Sequence, residues 1–268
     1  MLACPVLNLA DLCCRQRANS GMMRVWEWQV PEPSNVINFR KSPAKPPPAV
    51  NLPTVVWAVI ALIIGIHAFL ELAGPKWQTF AEYEFAFIPA RFGPAAFPQH
   101  EGSAWWSMLT YGLLHANWMH VLLNSLWLAV FSKPVQAHFG TPRYLLILGV
   151  GIISGAVASL LVHWGEAIDL VGISAGVSAL LAAAIPLMYG KGRPLRPIEL
   201  ITNRSALIFT LVWLAMTVFT GASAYLSNTF VAENQIAWDA HLGGFIAGLI
   251  MFYILEAVAQ PASRPTLH

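Results

Sequence analysis

Charge is the scarcest commodity in this sequence. Asp, Glu, Lys and Arg make up 10% of its 268 residues, against roughly 25% in soluble domains. That shortfall excludes an ordinary water-soluble globule, and a formal net charge of +2 offers no basic surface for nucleic acid. Cysteine is nearly missing too. The three present, Cys4, Cys13 and Cys14, crowd the N-terminus, so they build neither a disulfide framework nor a Cys/His metal spacing and read as free thiols. No short apolar core followed by a small-residue cleavage site heads the chain, so no signal peptide is expected. What fills the composition instead is apolar: 57% hydrophobic residues and a mean hydropathy of +0.59 place the chain in the membrane class.

Residues 1–50 are polar, basic and proline-rich, ending in Pro43-Ala44-Lys45-Pro46-Pro47-Pro48. They read as a flexible cytoplasmic tail. Residues 51–258 read as one membrane domain, and 259–268 as a short cytoplasmic tail. A helix needs about 20 mostly apolar residues to cross the hydrocarbon core. Six segments qualify: 54–73, 112–131, 143–163, 172–189, 205–226 and 239–257. With the N-terminal tail inside, 13 of the 15 Lys and Arg residues fall on inner regions, and only Lys76 and Arg91 fall outside. This split favours both termini inside. The loop 74–111 carries Trp77, Phe80, Tyr83, Trp105 and Trp106 among other aromatics, which suits the outer membrane interface.

Segments two, four and six all enter from the outside, and each carries its unusual polar residues near its own start. His115, His120 and Asn124 open segment two, Ser174 opens segment four, and His241 opens segment six. Polar side chains inside a membrane are costly and mark function by default. Small residues at four-residue spacing, Ala175, Ala179 and Ala183 on segment four and Ala240, Gly244 and Gly248 on segment six, let two helix backbones approach closely. That approach brings hydroxyl and imidazole within reach. A serine hydroxyl becomes a nucleophile when an adjacent base takes its proton, and His241 is the candidate base. No carboxylate lies inside segments two, four or five, and Asp239 stands two residues from His241, off its helix face, so a Ser-His dyad is expected rather than a triad. His120 and Asn124, four apart on one face, and the backbone N–H of Ser174 are candidate donors to an oxyanion. His115 is out of register with that face and is expected to precede the helix proper and tie down the loop above.

Ser178 is a rival nucleophile, one turn deeper at about 6 Å, and is read as a packing residue. His67 and His163 are read as interface histidines. A metal-handling protein using His115, His120 and His241 is disfavoured, because His115 and His120 share no ligand face and no Cys, Asp or Glu joins them.

The three stretches resemble the rhomboid family of intramembrane serine proteases. His115, His120 and Asn124 meet its HxxxxHxxxN pattern. Gly172-Ile173-Ser174 meets GxSG, with Ala175 where the second glycine is usual. Ala240, His241, Gly244 and Gly248 meet AHxxGxxxG. The resemblance covers about residues 54–257 in matching order. It implies an all-α, six-transmembrane-helix bundle with a long interfacial first loop and an outward-facing cavity. It implies Ser174 as nucleophile, His241 as base, and His120 with Asn124 in the oxyanion hole, supported by His115, Gly172 and Gly244. Transmembrane segments of other proteins would be the substrates, cut near their outer ends within the lipid bilayer, with segment five and loop 227–238 as gate and cap. No metal or organic cofactor is expected. The short basic tail and the lack of a transit-like segment suggest a bacterial inner membrane, with the site facing the periplasm. The first-loop Trp-Arg pair common in the family is represented here by Trp106-Ser107, which bears on loop anchoring rather than on chemistry. The alternative within the same family is a catalytically inactive, client-binding membrane protein, a class that usually loses the serine or the histidine.

Overall fold

The computed structural model describes residues 51–94, 99–226 and 237–259. The expected tails 1–50 and 259–268 fall outside these residues, Ala259 apart, as do residues 227–236 of the expected cap loop. Helix α1 (Thr54–Ala73) coincides with the first expected segment. It stops at Gly74, whose φ of +87° suits glycine. Pro75 then opens α2 (Pro75–Phe85) at a position where its missing N–H costs nothing. The rest of the first loop is a 3-10 turn at Pro89–Phe92, helix α3 (Ser103–Thr110) and a second 3-10 turn at Tyr111–Leu113.

The second and third expected segments are the two halves of α4 (Trp118–Val162), which meet at a break at Gly140 instead of the longer loop expected after residue 131. The helix begins six residues later than expected because Asn117 caps it: its side-chain oxygen accepts from the His120 amide at 2.9 Å. Its turns then run on to Gly140, where φ +75° and ψ 171° break the helical path just before Pro142. Ser132 donates to the Tyr144 hydroxyl across that break at 3.1 Å. Each half is about 22 residues, or ~33 Å of helix, enough for one crossing.

Helices α5 (Ser174–Met188), α6 (Pro197–Thr202), α7 (Arg204–Leu226) and α8 (Trp238–Ala259) complete the described chain. Among the described residues, α1, α4 and α8 are long and apolar enough to cross a membrane, α4 with one crossing on each side of its break, while α5 and Arg204–Phe219 of α7 are shorter apolar helices. The result is an all-helical, multi-pass membrane bundle with six apolar helical stretches.

Helix α5 is its axis, with every residue from Ala175 to Pro186 buried. Small residues explain how. A Cβ on Gly248 of α8 would strike the Ala179 backbone, and one on Gly244 would strike the Ala175 carbonyl. On α4, Gly151 faces Ala179 and Gly155 faces Ala175. Bundles in lipid gain little from burying apolar surface, so such backbone approach carries the packing. Large side chains such as Leu72, Leu161 and Phe219 stay exposed on the outside of the bundle.

The first loop is anchored without the family's Trp-Arg pair. Phe87 and Leu170 exchange backbone hydrogen bonds of 3.1 and 2.9 Å as an isolated antiparallel bridge. Buried Arg91 donates to the Ala86 carbonyl at 2.9 Å and to the Tyr83 carbonyl. The Trp106 indole donates to the Glu84 carbonyl at 2.8 Å, while Ser107 is fully buried. Burial pushes the carboxyls of Asp169 and Glu82 up; Arg91 opposes this for Asp169, and Asp169 adds to it for Glu82.

Candidate active site

Ser174 is the first residue of α5, so its amide belongs to a first turn whose N–H groups lack intrahelical acceptors. The chain reaches it through Gly172 at φ +113°, whose amide donates to the Tyr111 carbonyl at 3.0 Å. His241 lies in the first turn of α8, its amide bonded to the Ala237 carbonyl at 3.1 Å. The close α5–α8 crossing brings the two side chains together: Ser174 Oγ is 2.8 Å from His241 Nε2. The hydroxyl donates when the imidazole carries its proton on Nδ1.

The rival hydroxyl is differently engaged. Ser178 Oγ donates to the Ser174 carbonyl at 2.9 Å, a bond back along its own helix. Asp239 is buried, and its Oδ2 is 3.9 Å from His163 Nε2; His163 also holds Glu166 through Nδ1 at 2.8 Å. The carboxylate nearest to His241 in sequence therefore faces another histidine.

Against the serine lies the start of α4. A Cβ on Gly172 would sit 2.7 Å from Cε1 and 2.8 Å from Nε2 of His120, and 3.7 Å from Nδ2 of Asn124. The His120 imidazole and the Asn124 amide thus both lie beside Gly172, two residues before Ser174. Asn124 is buried, and its Nδ2 has no partner among the described residues. A buried amide donor left open is costly unless something accepts from it. His115 is buried ahead of the helix, its ring edge-on to that of His120 at 5.1 Å. His67, on α1, packs edge-on against Trp118 at 4.7 Å, below the same helix start.

Several contributors were not singled out from the sequence. Asn117 sets the first turn that carries His120, and an Asn just ahead of an apolar run is a readable cap signal. Tyr111 holds Gly172, and its hydroxyl donates to the Ile152 carbonyl at 2.7 Å. Gly155 leaves room for the Ala175 methyl, since a Cβ there would collide with it. The Gly151-xxx-Gly155 pattern was available as a close-packing signal. Among the described residues, no group of three or more His, Cys, Asp or Glu is arranged to hold a metal ion.

A serine and a histidine joined across two helices, with an imidazole and an open amide from a third nearby, are an arrangement that can support acyl transfer. A family profile described as Rhomboid domain matches residues 102–257. The chain belongs to the rhomboid family. It is 26% identical over 148 residues to the rhomboid protease GlpG of Photorhabdus laumondii, covering 54% of this chain and 46% of that protein. The GlpG of Serratia proteamaculans is 22% identical over 148 residues, 55% of this chain and 47% of its own. Rhomboid-related protein 2 of Mus musculus is 24% identical over 239 residues, 85% of this chain and 71% of its own. The chain spans about half the length of the two GlpG proteins.

Proposed function

We infer that this protein is an intramembrane serine endopeptidase that cuts transmembrane segments of other membrane proteins near their outer ends. The observation that carries the reading is the 2.8 Å pairing of Ser174 Oγ with His241 Nε2. In the proposed mechanism, His241 takes the Ser174 proton as Oγ attacks the scissile carbonyl, then returns it to the leaving amine. Water repeats the sequence on the acyl-enzyme. The developing oxyanion accepts from Asn124 Nδ2, from His120 and from the Ser174 amide. Gly172 and Gly244 permit the close approaches, and His115 backs His120. The enzyme sits in a bacterial inner membrane with both termini cytoplasmic and the site open to the periplasm. The intact Ser-His pair weighs against the client-binding alternative.

The test uses purified protein in detergent with a model transmembrane substrate. Ser174→Ala is expected to abolish cleavage and fluorophosphonate labelling, and Ser178→Ala to retain both. Loss in Ser178→Ala alone would move the nucleophile one turn. No cleavage and no labelling of the wild type would favour client binding.

A further inference from the structure

At the opposite end of α5 from Ser174, a cavity of ≈ 560 Å³ opens between the Arg193–Pro197 stretch that leads into α6 and the last turns of α8. Arg193 and Arg196 line one side, Tyr253 and Glu256 of α8 the other, and Leu195 the floor. The floor is fixed. The Leu195 amide donates to the Pro186 carbonyl at 3.0 Å, and the Tyr253 hydroxyl donates to the Leu195 carbonyl at 2.9 Å. Glu199 gathers the guanidiniums: Arg193 donates to both of its oxygens, at 2.7 and 2.6 Å, and Arg196 to one, at 3.2 Å. Across the cavity, Glu256 Oε2 holds His138 Nε2 at 2.8 Å, and the carboxylate has a second oxygen to offer.

Charge decides what fits. Two guanidiniums share one carboxylate, which leaves about one positive charge on that side, and Glu256 supplies one negative charge opposite. A purely anionic group satisfies the arginines but confronts Glu256. A headgroup with a phosphate at one end and an ammonium at the other matches both walls. A primary ammonium donates to Glu256, whereas a trimethylammonium has no N–H to give. On α6, Ile198 and Ile201 stand exposed beside the arginines, at 59% and 61%. They are three residues apart, on one helix face, as a segment resting among acyl chains requires.

We propose that this cavity is a phospholipid site selective for a phosphoethanolamine headgroup, with the phosphate on Arg193 and Arg196, the ammonium on Glu256, and the acyl chains beside Ile198 and Ile201. The site is independent of the protease reading and lies at the other membrane face.

The experiment is native mass spectrometry of the full chain, released from micelles carrying dioleoyl phosphatidylethanolamine, phosphatidylcholine or phosphatidylglycerol at matched concentrations. Phosphatidylethanolamine is expected to be retained about tenfold better than phosphatidylcholine, the scale of one charge-assisted hydrogen bond. Glu256→Gln should erase that preference. His138→Gln removes the imidazole that holds Glu256 Oε2 but leaves the carboxylate, so it should keep the preference; this separates headgroup recognition from helix packing. Arg196→Gln, at an exposed side chain whose bond to Glu199 is 3.2 Å long, should weaken both phosphatidylethanolamine and phosphatidylcholine while leaving the unfolding temperature within a few degrees. Equal retention of the three lipids, tightest retention of phosphatidylglycerol, or a preference that survives Glu256→Gln would overturn the proposal.

Discussion

Ala175 is the residue at which this chain departs from the family's GxSG pattern, and Gly155 is what accommodates it. The methyl of Ala175 occupies the space that a Cβ on Gly155 would need, 2.7 Å from the Tyr111 hydroxyl. Gly155→Ala should therefore destabilise the bundle by about 1–3 kcal/mol, as overpacking does. Ala175→Gly should restore part of that loss, and thermal unfolding of the four proteins gives a coupling of about 1 kcal/mol. Additive effects would show that the two positions do not share the space. Gly172 is the second informative residue. At φ +113°, with His120 under 3 Å from where a Cβ would be, Gly172→Ala strains the backbone and displaces the imidazole. Under the protease reading, kcat should fall by about 10²-fold with little change in KM, as when one oxyanion donor is lost. Asn124→Ala should behave alike, and a rise in KM alone would argue against oxyanion roles.

At the scale of elements, the α5–α8 crossing is the joint on which the Ser174–His241 distance depends. Gly248 has no room for a side chain against Ala179, whereas a Cβ on Gly149 of α4 would meet nothing within 4 Å. Gly248→Ala should lower the unfolding temperature and lengthen the dyad. Gly149→Ala should be neutral or slightly stabilising, since Ala outranks Gly in helix propensity by about 1 kcal/mol. Equal effects would mean that the small residues carry no crossing. Both stripes of small residues on segments four and six were legible in the sequence, as were α1 and the polar starts of the second, fourth and sixth segments, because these depend on local period and residue type. The tight break between the two halves of α4 was not, because helical turns run on through Pro134 and end only at Gly140. The first-loop anchors were hidden too, since Phe87–Leu170 and Arg91 act over long range through backbone atoms that carry no sequence signature.

For the whole molecule, orientation decides where the proposed chemistry happens. The helices place Ser174 and the α6 cavity at opposite ends of α5, so one face of the membrane meets the serine and the other meets Arg193 and Arg196. The sequence reading, which expects 13 of the 15 cationic residues on inner regions, leads us to propose that the arginine face is cytoplasmic. The scarcity of cysteine makes this directly measurable. With Cys4, Cys13 and Cys14 replaced by serine, single cysteines at Glu101→Cys and Lys191→Cys report the two faces, and both native side chains are exposed. A membrane-impermeant maleimide added to spheroplasts should label Glu101→Cys at once and Lys191→Cys only after permeabilisation. The reverse pattern would turn the bundle over and put Ser174 at the cytoplasmic surface. Substrates would then be cut at their cytoplasmic ends, and the lipid cavity would face the outer leaflet, so this one labelling experiment fixes the direction of both proposed sites.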